Sequence, residues 1–374
     1  MQKTRSLLVS MLSAAVLQLP SGVLEPTIPD QNPLTAEKVT LGRQLYFDKR
    51  LSADGTVSCA TCHDPLKGFS DAHPVAVGIK NQTGARNSPT VLYSGFNEVQ
   101  FWDGRAPTLE EQAKGPLVNP VEMGQVSHEA VVKAVTAIPE YGNAFKAAFG
   151  SPAVTVDRIV QAIASFERTV APFTSPFDRF LAGQKDAISD SAKRGFVLFQ
   201  GKARCVTCHE FNNSFPYFTD NKFHNIGVAM KGNFEQLARE AQSVPGKGAE
   251  TQQAALAHKP GVEALGRWIV TRQPKDVGAF KTPTLRNVAL TAPYMHDGSQ
   301  KTLEEVMDFY NKGGEPNPNL DGGIRPLNLT KEEIGDVIEW MKSLTDETGG
   351  KNFDWEQLKE LSRKTRAGEI VAAP

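Results

Sequence analysis

The sequence has little cysteine, almost no net charge and no long apolar run. Four cysteines among 374 residues exclude a small disulfide-stapled scaffold. The 41 basic and 42 acidic residues leave a formal charge of −1, which gives no support for general nucleic-acid binding. No segment contains 18 consecutive apolar residues, which excludes a polytopic membrane protein. The 40% hydrophobic and 22% charged residues instead indicate a globular chain of about two or three domains.

The N-terminus carries a targeting feature. Lys3 and Arg5 precede an apolar stretch over residues 7–19, which is too short to span a bilayer comfortably and suits the core of a secretory signal. A clean cleavage site is missing, so an uncleaved membrane anchor and an ordinary apolar segment stay open as alternatives. We assign residues 1–25 to a signal peptide or N-terminal anchor.

Hydrophobic periodicity predicts a mainly helical chain with little β structure. Helices are predicted from about residue 35, over 127–148 with a break near Pro139, and over 155–170, 190–200, 302–312 and 331–344. Residues 20–34 are typical of a linker, and residues 54–120 and 211–280 predict long loops with short helices at most. No repeat of 20–50 residues is present, so a solenoid is excluded.

One short motif occurs twice and uses every cysteine. Its two copies are Cys59-Ala60-Thr61-Cys62-His63 and Cys205-Val206-Thr207-Cys208-His209. Cys-x-x-Cys-His is the attachment signature of c-type haem: the two thiols bind the haem vinyl groups, and the adjacent histidine ligates the iron. Because bacteria attach this haem outside the cytoplasm, we expect an exported, periplasmic protein with two haem lobes.

Three other uses of cysteine pairs compete with this interpretation. A four-cysteine zinc site usually has its pairs about 15–20 residues apart, whereas these pairs are far apart in the sequence. A thioredoxin-like motif needs a βαβ context that the sequence does not show. Two disulfides are the third alternative. None of the three accounts for a histidine after both pairs.

Longer blocks resemble the bacterial di-haem cytochrome c peroxidases and their relative MauG. The resemblance covers about residues 35–345. It rests on both haem motifs and on LGRQLYFD (41–48), RNSPT (86–90), QFWDGR (100–105), EQA (111–113), NPVEM (119–123) and LRNVALTAPYMH (285–296). It implies two cytochrome c-like haem lobes. Residues 26–175 would form a peroxidatic domain and residues 176–347 an electron-transfer domain, followed by a tail over 348–374.

The resemblance also implies roles for individual residues. His63 would be the proximal ligand of the peroxidatic haem, and His209 that of the second haem. Glu122 matches the family's distal carboxylate, which moves a proton between the oxygens of peroxide. Gln112 matches a distal-pocket residue, and Trp102 matches a tryptophan that lies between the haems.

A calcium ion is the third cofactor that the resemblance implies. Asn87, Thr291 and Pro293 match the ligands of a Ca²⁺ that the family binds between the haems. Ligation by an amide side chain and backbone carbonyls suits this hard, oxygen-preferring cation.

The loop after the first haem motif departs from the common family pattern. Many members carry a distal histidine there that blocks the first iron, and its position holds Ile79, which cannot ligate iron. His73, six residues earlier, is the alternative ligand if the loop takes another path. The first haem is therefore predicted to be open at rest.

The second departure concerns the far side of the second haem. Common peroxidases have a methionine where this sequence has Tyr310, and MauG has a tyrosine there. Tyr310 shares a predicted helix face with Leu303, Val306 and Met307, so it should point inward. We expect Tyr310 to ligate the second iron. Met307 as the ligand and a plain core role for Tyr310 stay open as alternatives.

These features favour a di-haem peroxidase that reduces H₂O₂ to water with electrons from a small redox protein, a cytochrome c or a cupredoxin. The two haems would share high-valent states. A MauG-like oxidase or maturase of a protein substrate is the alternative, but Ala203 stands where MauG has a tryptophan used for that reaction. A pure electron-transfer cytochrome is the second alternative, which Glu122 and an open iron disfavour. We expect a monomer or homodimer.

Overall fold

The computed structural model describes residues 17, 19–230, 234–243, 261–348 and 354–369. Thirteen α-helices lie in these ranges. They are α1 Ala36–Phe47, α2 Cys59–Cys62, α3 Leu109–Val118, α4 His128–Thr136, α5 Pro139–Phe149, α6 Val156–Thr169, α7 Pro176–Leu181, α8 Asp190–Gln200, α9 Phe234–Ser243, α10 Trp268–Thr271, α11 Leu303–Asn311, α12 Lys331–Ser343 and α13 Trp355–Arg366.

Regular β structure in the described ranges is confined to one small antiparallel sheet. Strand β1, Phe223–His224, pairs with strand β2, Phe280–Lys281, with Phe223 opposite Lys281. The prediction of a mainly helical fold with little β structure is therefore confirmed.

Side-chain caps set where most of the longer helices begin. The hydroxyls of Thr35, Thr155, Ser189, Thr302 and Thr330 each accept a hydrogen bond from a backbone N–H in the first turn of the helix that follows. Such caps satisfy amides that have no partner within the helix. These are the helices whose starts the periodicity predicted.

Each lobe is built around a close crossing of two helices at a glycine. In the first lobe α1 crosses α6, and a Cβ on Gly42 would lie 1.8 Å from the carbonyl oxygen of Ala162. In the second lobe α8 crosses α12, and a Cβ on Gly195 would lie 1.9 Å from the carbonyl oxygen of Asp336. Both separations are far shorter than van der Waals contact, so a side chain at either glycine would push the helices apart.

Two large hydrophobic cores correspond to the two lobes. The first lies around α1 and α6, and the second around Trp340 and the aromatic rings of α7 and α8. The last helix, α13, follows the second lobe in sequence, yet its Trp355 and Leu358 belong to the first core.

The region 211–280, which the sequence predicts as loop-like, also contains a small third core. This core includes Met230, Leu237, Val262, Leu265 and Ile269. Residues 231–233 and 244–260 of this region lie outside the described ranges.

None of the described helices is both long enough and apolar enough to cross a membrane. The predicted signal peptide or anchor falls mostly on residues 1–16 and 18, which lie outside the described residues.

Candidate functional site

Both Cys-x-x-Cys-His motifs line one continuous cavity between the lobes. Its walls include Cys59, Cys62, His63, Cys205, Cys208 and His209. All four cysteines are free thiols, so the two-disulfide alternative is wrong. Across the described ranges no three His, Cys, Asp or Glu side chains converge as a metal site, which argues against four-cysteine zinc binding.

The first motif forms one helical turn, α2, at the cavity wall. Thr61 Oγ1 accepts a hydrogen bond from the backbone N–H of Ser58 at 2.9 Å and closes this turn at its start. Burial raises the pKa of Cys62 to about 12 and that of Cys59 well above its ordinary value. Burial also raises the pKa of Cys205 in the second motif to about 12. These thiols are therefore protonated at neutral pH.

The two motif histidines are held in the same tautomer. His63 Nδ1 lies 2.9 Å from the carbonyl oxygen of Pro89, and His209 Nδ1 lies 2.9 Å from that of Phe218. A carbonyl only accepts, so Nδ1 carries the proton and Nε2 carries the lone pair in both rings. Burial lowers the pKa of both imidazoles, which keeps them neutral. Two thiols and one neutral Nε2 at each motif fit a covalently attached haem.

A carboxyl and an amide predicted from sequence face the cavity near the first motif. Gln112 lies on α3, and Glu122 lies in the turn that follows this helix. The Asn119 side-chain amide donates to Glu122 Oε1 at 2.7 Å. Burial raises the pKa of Glu122, while the positive charge of Arg105 and the Asn119 hydrogen bond oppose that shift. The result is a carboxyl whose proton affinity exceeds that of a surface glutamate.

Arg105 is a cavity residue that the sequence reasoning did not single out. Its guanidinium lies 3.5 Å from the centre of the Phe101 ring, and its Nη1 donates to both carboxylate oxygens of Asp103 at 3.0 and 3.1 Å. Asp103 is fully buried and also pairs with Arg86 at 2.7 Å. The loop is strained, because Phe101 has a φ of +69°. The loop therefore fixes one cation beside Glu122.

Trp102, from the same loop, joins the two lobes. Its indole Nε1 donates to the carbonyl oxygen of Asn87 at 3.0 Å, and its own carbonyl accepts from the backbone N–H of Lys281 at 2.8 Å. Asn87 belongs to the first lobe and Lys281 to β2. Trp102 lines the cavity that both motifs share.

The three residues expected to bind calcium also line this cavity: Asn87, Thr291 and Pro293. The Asn87 amide nitrogen donates to the carbonyl oxygen of His73 at 2.9 Å, which leaves its Oδ1 turned the other way as an acceptor. A backbone hydrogen bond of 2.8 Å from Asn87 to the His296 carbonyl ties this residue to the 291–296 segment.

Helix α11 presents one face to the cavity near the second motif. That face consists of Leu303, Val306, Met307 and Tyr310. The Tyr310 hydroxyl has no hydrogen-bond partner within the described part of the chain, and burial raises the pKa of this phenol well above its ordinary value. Met307 is buried one turn earlier. Both predicted candidates for the second iron therefore face the cavity.

His73 and Ile79 lie apart from the cavity wall. The His73 side chain is 55% exposed, with Nδ1 4.0 Å from Asp71. Ile79 is buried against Gly124, and its backbone N–H donates to the Glu122 carbonyl at 2.9 Å. Neither residue is among those that line the cavity.

Two further histidines face the cavity. His224 bridges two carboxylates, with Nε2 2.9 Å from Asp220 and Nδ1 2.7 Å from Asp321. Hydrogen bonds to Asp220, then to Cys208 and Asp321, raise the pKa of His224 to about 11, so it is a cation at neutral pH. His296 is buried and stacks on Phe280 at 3.6 Å, and burial lowers its pKa.

Two buried ionisable residues at the cavity carried no signal in the sequence. Burial lowers the pKa of Lys281 to about 8 and raises that of Glu167, on α6, to about 8. Lysine and glutamate are common surface residues, and neither residue here belongs to a recognisable motif. Only the packing of distant elements shows that both face the cavity.

Comparison with known proteins identifies relatives of this chain. A family model described as di-haem cytochrome c peroxidase matches residues 36–186. The methylamine utilization protein MauG of Methylorubrum extorquens is 40% identical over 320 residues, which cover 85% of this chain and 81% of that protein. Cytochrome c551 peroxidase of Nitrosomonas europaea is 37% identical over 350 residues, which cover 91% and 92%.

A solved structure agrees with these relatives. The crystal structure of a MauG-like protein associated with microbial copper homeostasis superposes with a TM-score of 0.74 at 34% identity, covering 88% of this chain and 95% of that chain. Family, relatives and fold agree with the two haem motifs that share one cavity. The chain therefore belongs to the di-haem cytochrome c peroxidase family of oxidoreductases, whose members carry two c-type haems.

Proposed function

We propose that this protein is an exported, periplasmic peroxidase that reduces H₂O₂ with two electrons and two protons to two molecules of water. The electrons come from a small redox protein, a cytochrome c or a cupredoxin. One observation carries the proposal: the cavity that holds the first Cys-x-x-Cys-His motif also holds a buried carboxyl, Glu122, and an amide, Gln112. An electron-transfer cytochrome needs no proton-carrying group at that position.

The side chains around the first motif can bind and orient peroxide. When bound at His63, haem would supply the iron that takes up peroxide and the redox chemistry. Asn119 holds Glu122 Oε1, so Oε2 is the atom that accepts a proton from one peroxide oxygen and returns it to the other. The Gln112 amide orients the substrate. The positive charge of Arg105 opposes the effect of burial and favours the ionised form of Glu122, which is the form that acts as a base.

Electrons would reach this pocket through the second lobe. His209 and Tyr310 are the proposed ligands of the second iron, with Met307 as the alternative to Tyr310. Trp102 is the proposed coupling residue between the two haems, because its hydrogen bonds join Asn87 of the first lobe to β2.

We expect the fully oxidised protein to react with one equivalent of H₂O₂ without prior reduction. The reason is that His73 is exposed and Ile79 packs on Gly124, so neither offers a ligand to the first iron. Rapid mixing followed by absorption spectroscopy measures this reaction. Steady-state turnover with reduced cytochrome c or a cupredoxin then tests the electron donor. A reaction that starts only after one haem has been reduced would contradict this expectation.

Oxidation of a protein substrate is the second candidate function. The 40% identity to a MauG protein favours it. Ala203 disfavours it, because this small, buried side chain offers no aromatic ring for electron transfer at the entry to the second motif. Mass spectrometry of a co-expressed partner protein, with and without H₂O₂, would separate the two functions.

We also propose a Ca²⁺ site formed by Asn87 Oδ1 and the carbonyls of Thr291 and Pro293. The site would join the first lobe to the 291–296 segment, which the Asn87–His296 hydrogen bond already connects. Removal of calcium by a chelator is expected to alter the spectra of both haems and to slow the peroxide reaction, and added Ca²⁺ should restore both. Unchanged spectra in calcium-free protein, verified by elemental analysis, would contradict the site.

A further inference from the structure

The C-terminal helix α13 is amphipathic, and its inner face meets the first lobe. Trp355, Leu358, Ser362 and Thr365 are buried at spacings of three and four residues, which is one face of a helix. Trp355 and Leu358 join the first hydrophobic core. This helix lies beyond residues 35–345, on which the family resemblance rests.

The polar part of this face contacts the residue directly after the proximal histidine. Ser362 Oγ donates to Asp64 Oδ1 at 2.6 Å, and the Arg366 guanidinium bonds to Asp64 Oδ2. Asp64 is fully buried, and its Oδ1 also accepts from the backbone N–H of Leu66 at 2.9 Å. A buried carboxylate needs such partners, because burial without them is costly.

The His63–Asp64 peptide is therefore held from two directions. The Tyr46 hydroxyl donates to the His63 carbonyl at 2.7 Å from the α1 side. Ser362 and Arg366 hold the Asp64 side chain from the α13 side. The Trp355 ring meets Phe69 with ring centres 6.3 Å apart, and the Phe69 backbone N–H donates to the Asp64 carbonyl at 2.8 Å.

We infer that α13 positions the proximal imidazole of the peroxidatic haem, with Ser362 and Arg366 as positioning residues that act through Asp64. The inference rests on the proposed role of His63. Its ring is oriented by the Nδ1–H bond to Pro89, and that bond keeps its geometry only if the adjoining backbone stays in place. The Asp64 backbone N–H also donates to the Ser70 carbonyl at 2.9 Å, so loss of the Ser362 or Arg366 contact would remove only the support that α13 adds on the Asp64 side of His63.

The Arg366→Gln variant tests this inference, with Arg363→Gln as its matched control. Arg363 lies on the same helix with similar exposure, but it pairs with Glu360 on the surface. Arg366→Gln is expected to shift the iron–histidine stretching band of the first haem in resonance Raman spectra and to slow the peroxide reaction about tenfold. Arg363→Gln is expected to do neither. Ser362→Ala gives a second, smaller perturbation of the same contact.

The second haem serves as an internal reference in the same molecule. If Arg366→Gln changes the spectrum of the first haem and leaves that of the second haem unchanged, the result supports positioning by α13. A fall in unfolding temperature with the iron–histidine band of the first haem and the absorption spectrum of the second haem both unchanged would show a purely structural helix and overturn the inference, and so would equal spectral changes at both haems. The Raman readout needs only bound haem, so a protein that carries both haems but does not turn over peroxide would contradict the proposed function and still test α13.

Discussion

Glu122→Gln is expected to slow the reaction with H₂O₂ by about 10²–10⁴-fold, the usual contribution of a positioned general acid–base group. Gln has the same shape as Glu and still accepts the Asn119 hydrogen bond through its carbonyl oxygen, so the pocket should keep its form. The amide cannot take up and return a proton, and this is the step that the variant removes. Stopped-flow measurement of the second-order rate constant, at equal haem content, gives the effect directly.

The control for this variant is Glu111→Gln on helix α3. Glu111 is half exposed and pairs with Lys114 on the surface, so its replacement should leave the rate within about twofold of the parent. If Glu122→Gln also stays within about threefold, far less than general acid–base catalysis contributes, Glu122 is not the proton carrier.

The acid side of the pH–rate profile provides an independent check on Glu122. In the proposed mechanism the ionised carboxylate is the base, and burial raises its pKa above the ordinary value of 4.5. The rate should therefore fall with decreasing pH at a midpoint above 4.5. Arg105 opposes the effect of burial, so Arg105→Gln should move this midpoint to higher pH. A midpoint that does not move would show that Arg105 has no electrostatic influence on the base.

Local signals explain what could be predicted from the sequence. The haem motifs are short contiguous patterns, and the helices with clear periodicity also carry Thr or Ser caps at their starts. Helix α3 was missed as a full helix because Pro116 lies inside it. Its start still had a signal: Thr108 accepts a hydrogen bond from the Glu111 backbone N–H, the Thr-x-x-Glu spacing of an N-terminal cap.

Contacts between distant segments explain what could not be predicted. Asp64 and Ser362 are 298 positions apart, and neither residue type nor spacing indicates that they meet. Arg105 occurs in a block that resembles the family. Its effect on Glu122 nevertheless depends on how the strained loop at Phe101 meets the turn after α3. Contacts between distant residues depend on how whole lobes pack against each other, and a local sequence pattern does not indicate that packing.

Tyr310→Met is expected to raise the reduction potential of the second haem by on the order of 10² mV, because axial ligands set this potential over a wide range. A phenolate is a hard, anionic ligand that favours ferric iron, whereas a thioether favours ferrous iron. The buried phenol keeps its proton in the absence of a cation, so a ferric ion bound to Tyr310 would have to displace that proton. Redox titration followed by absorption spectroscopy measures the potentials of the two haems separately.

Met307→Leu separates the two ligand assignments for the second iron. Leu fills nearly the same volume as Met, so the packing of α11 should be kept. If Tyr310 is the ligand, Met307→Leu leaves the potential of the second haem nearly unchanged, and Tyr310→Met also abolishes the reaction of the fully oxidised protein with peroxide. If Met307 is the ligand, its replacement removes the sixth ligand and changes the spectrum of the second haem, whereas Tyr310→Met does not. The choice matters for mechanism, because an anionic tyrosine ligand stabilises oxidised iron and would let the second haem give up an electron more readily than a methionine ligand would.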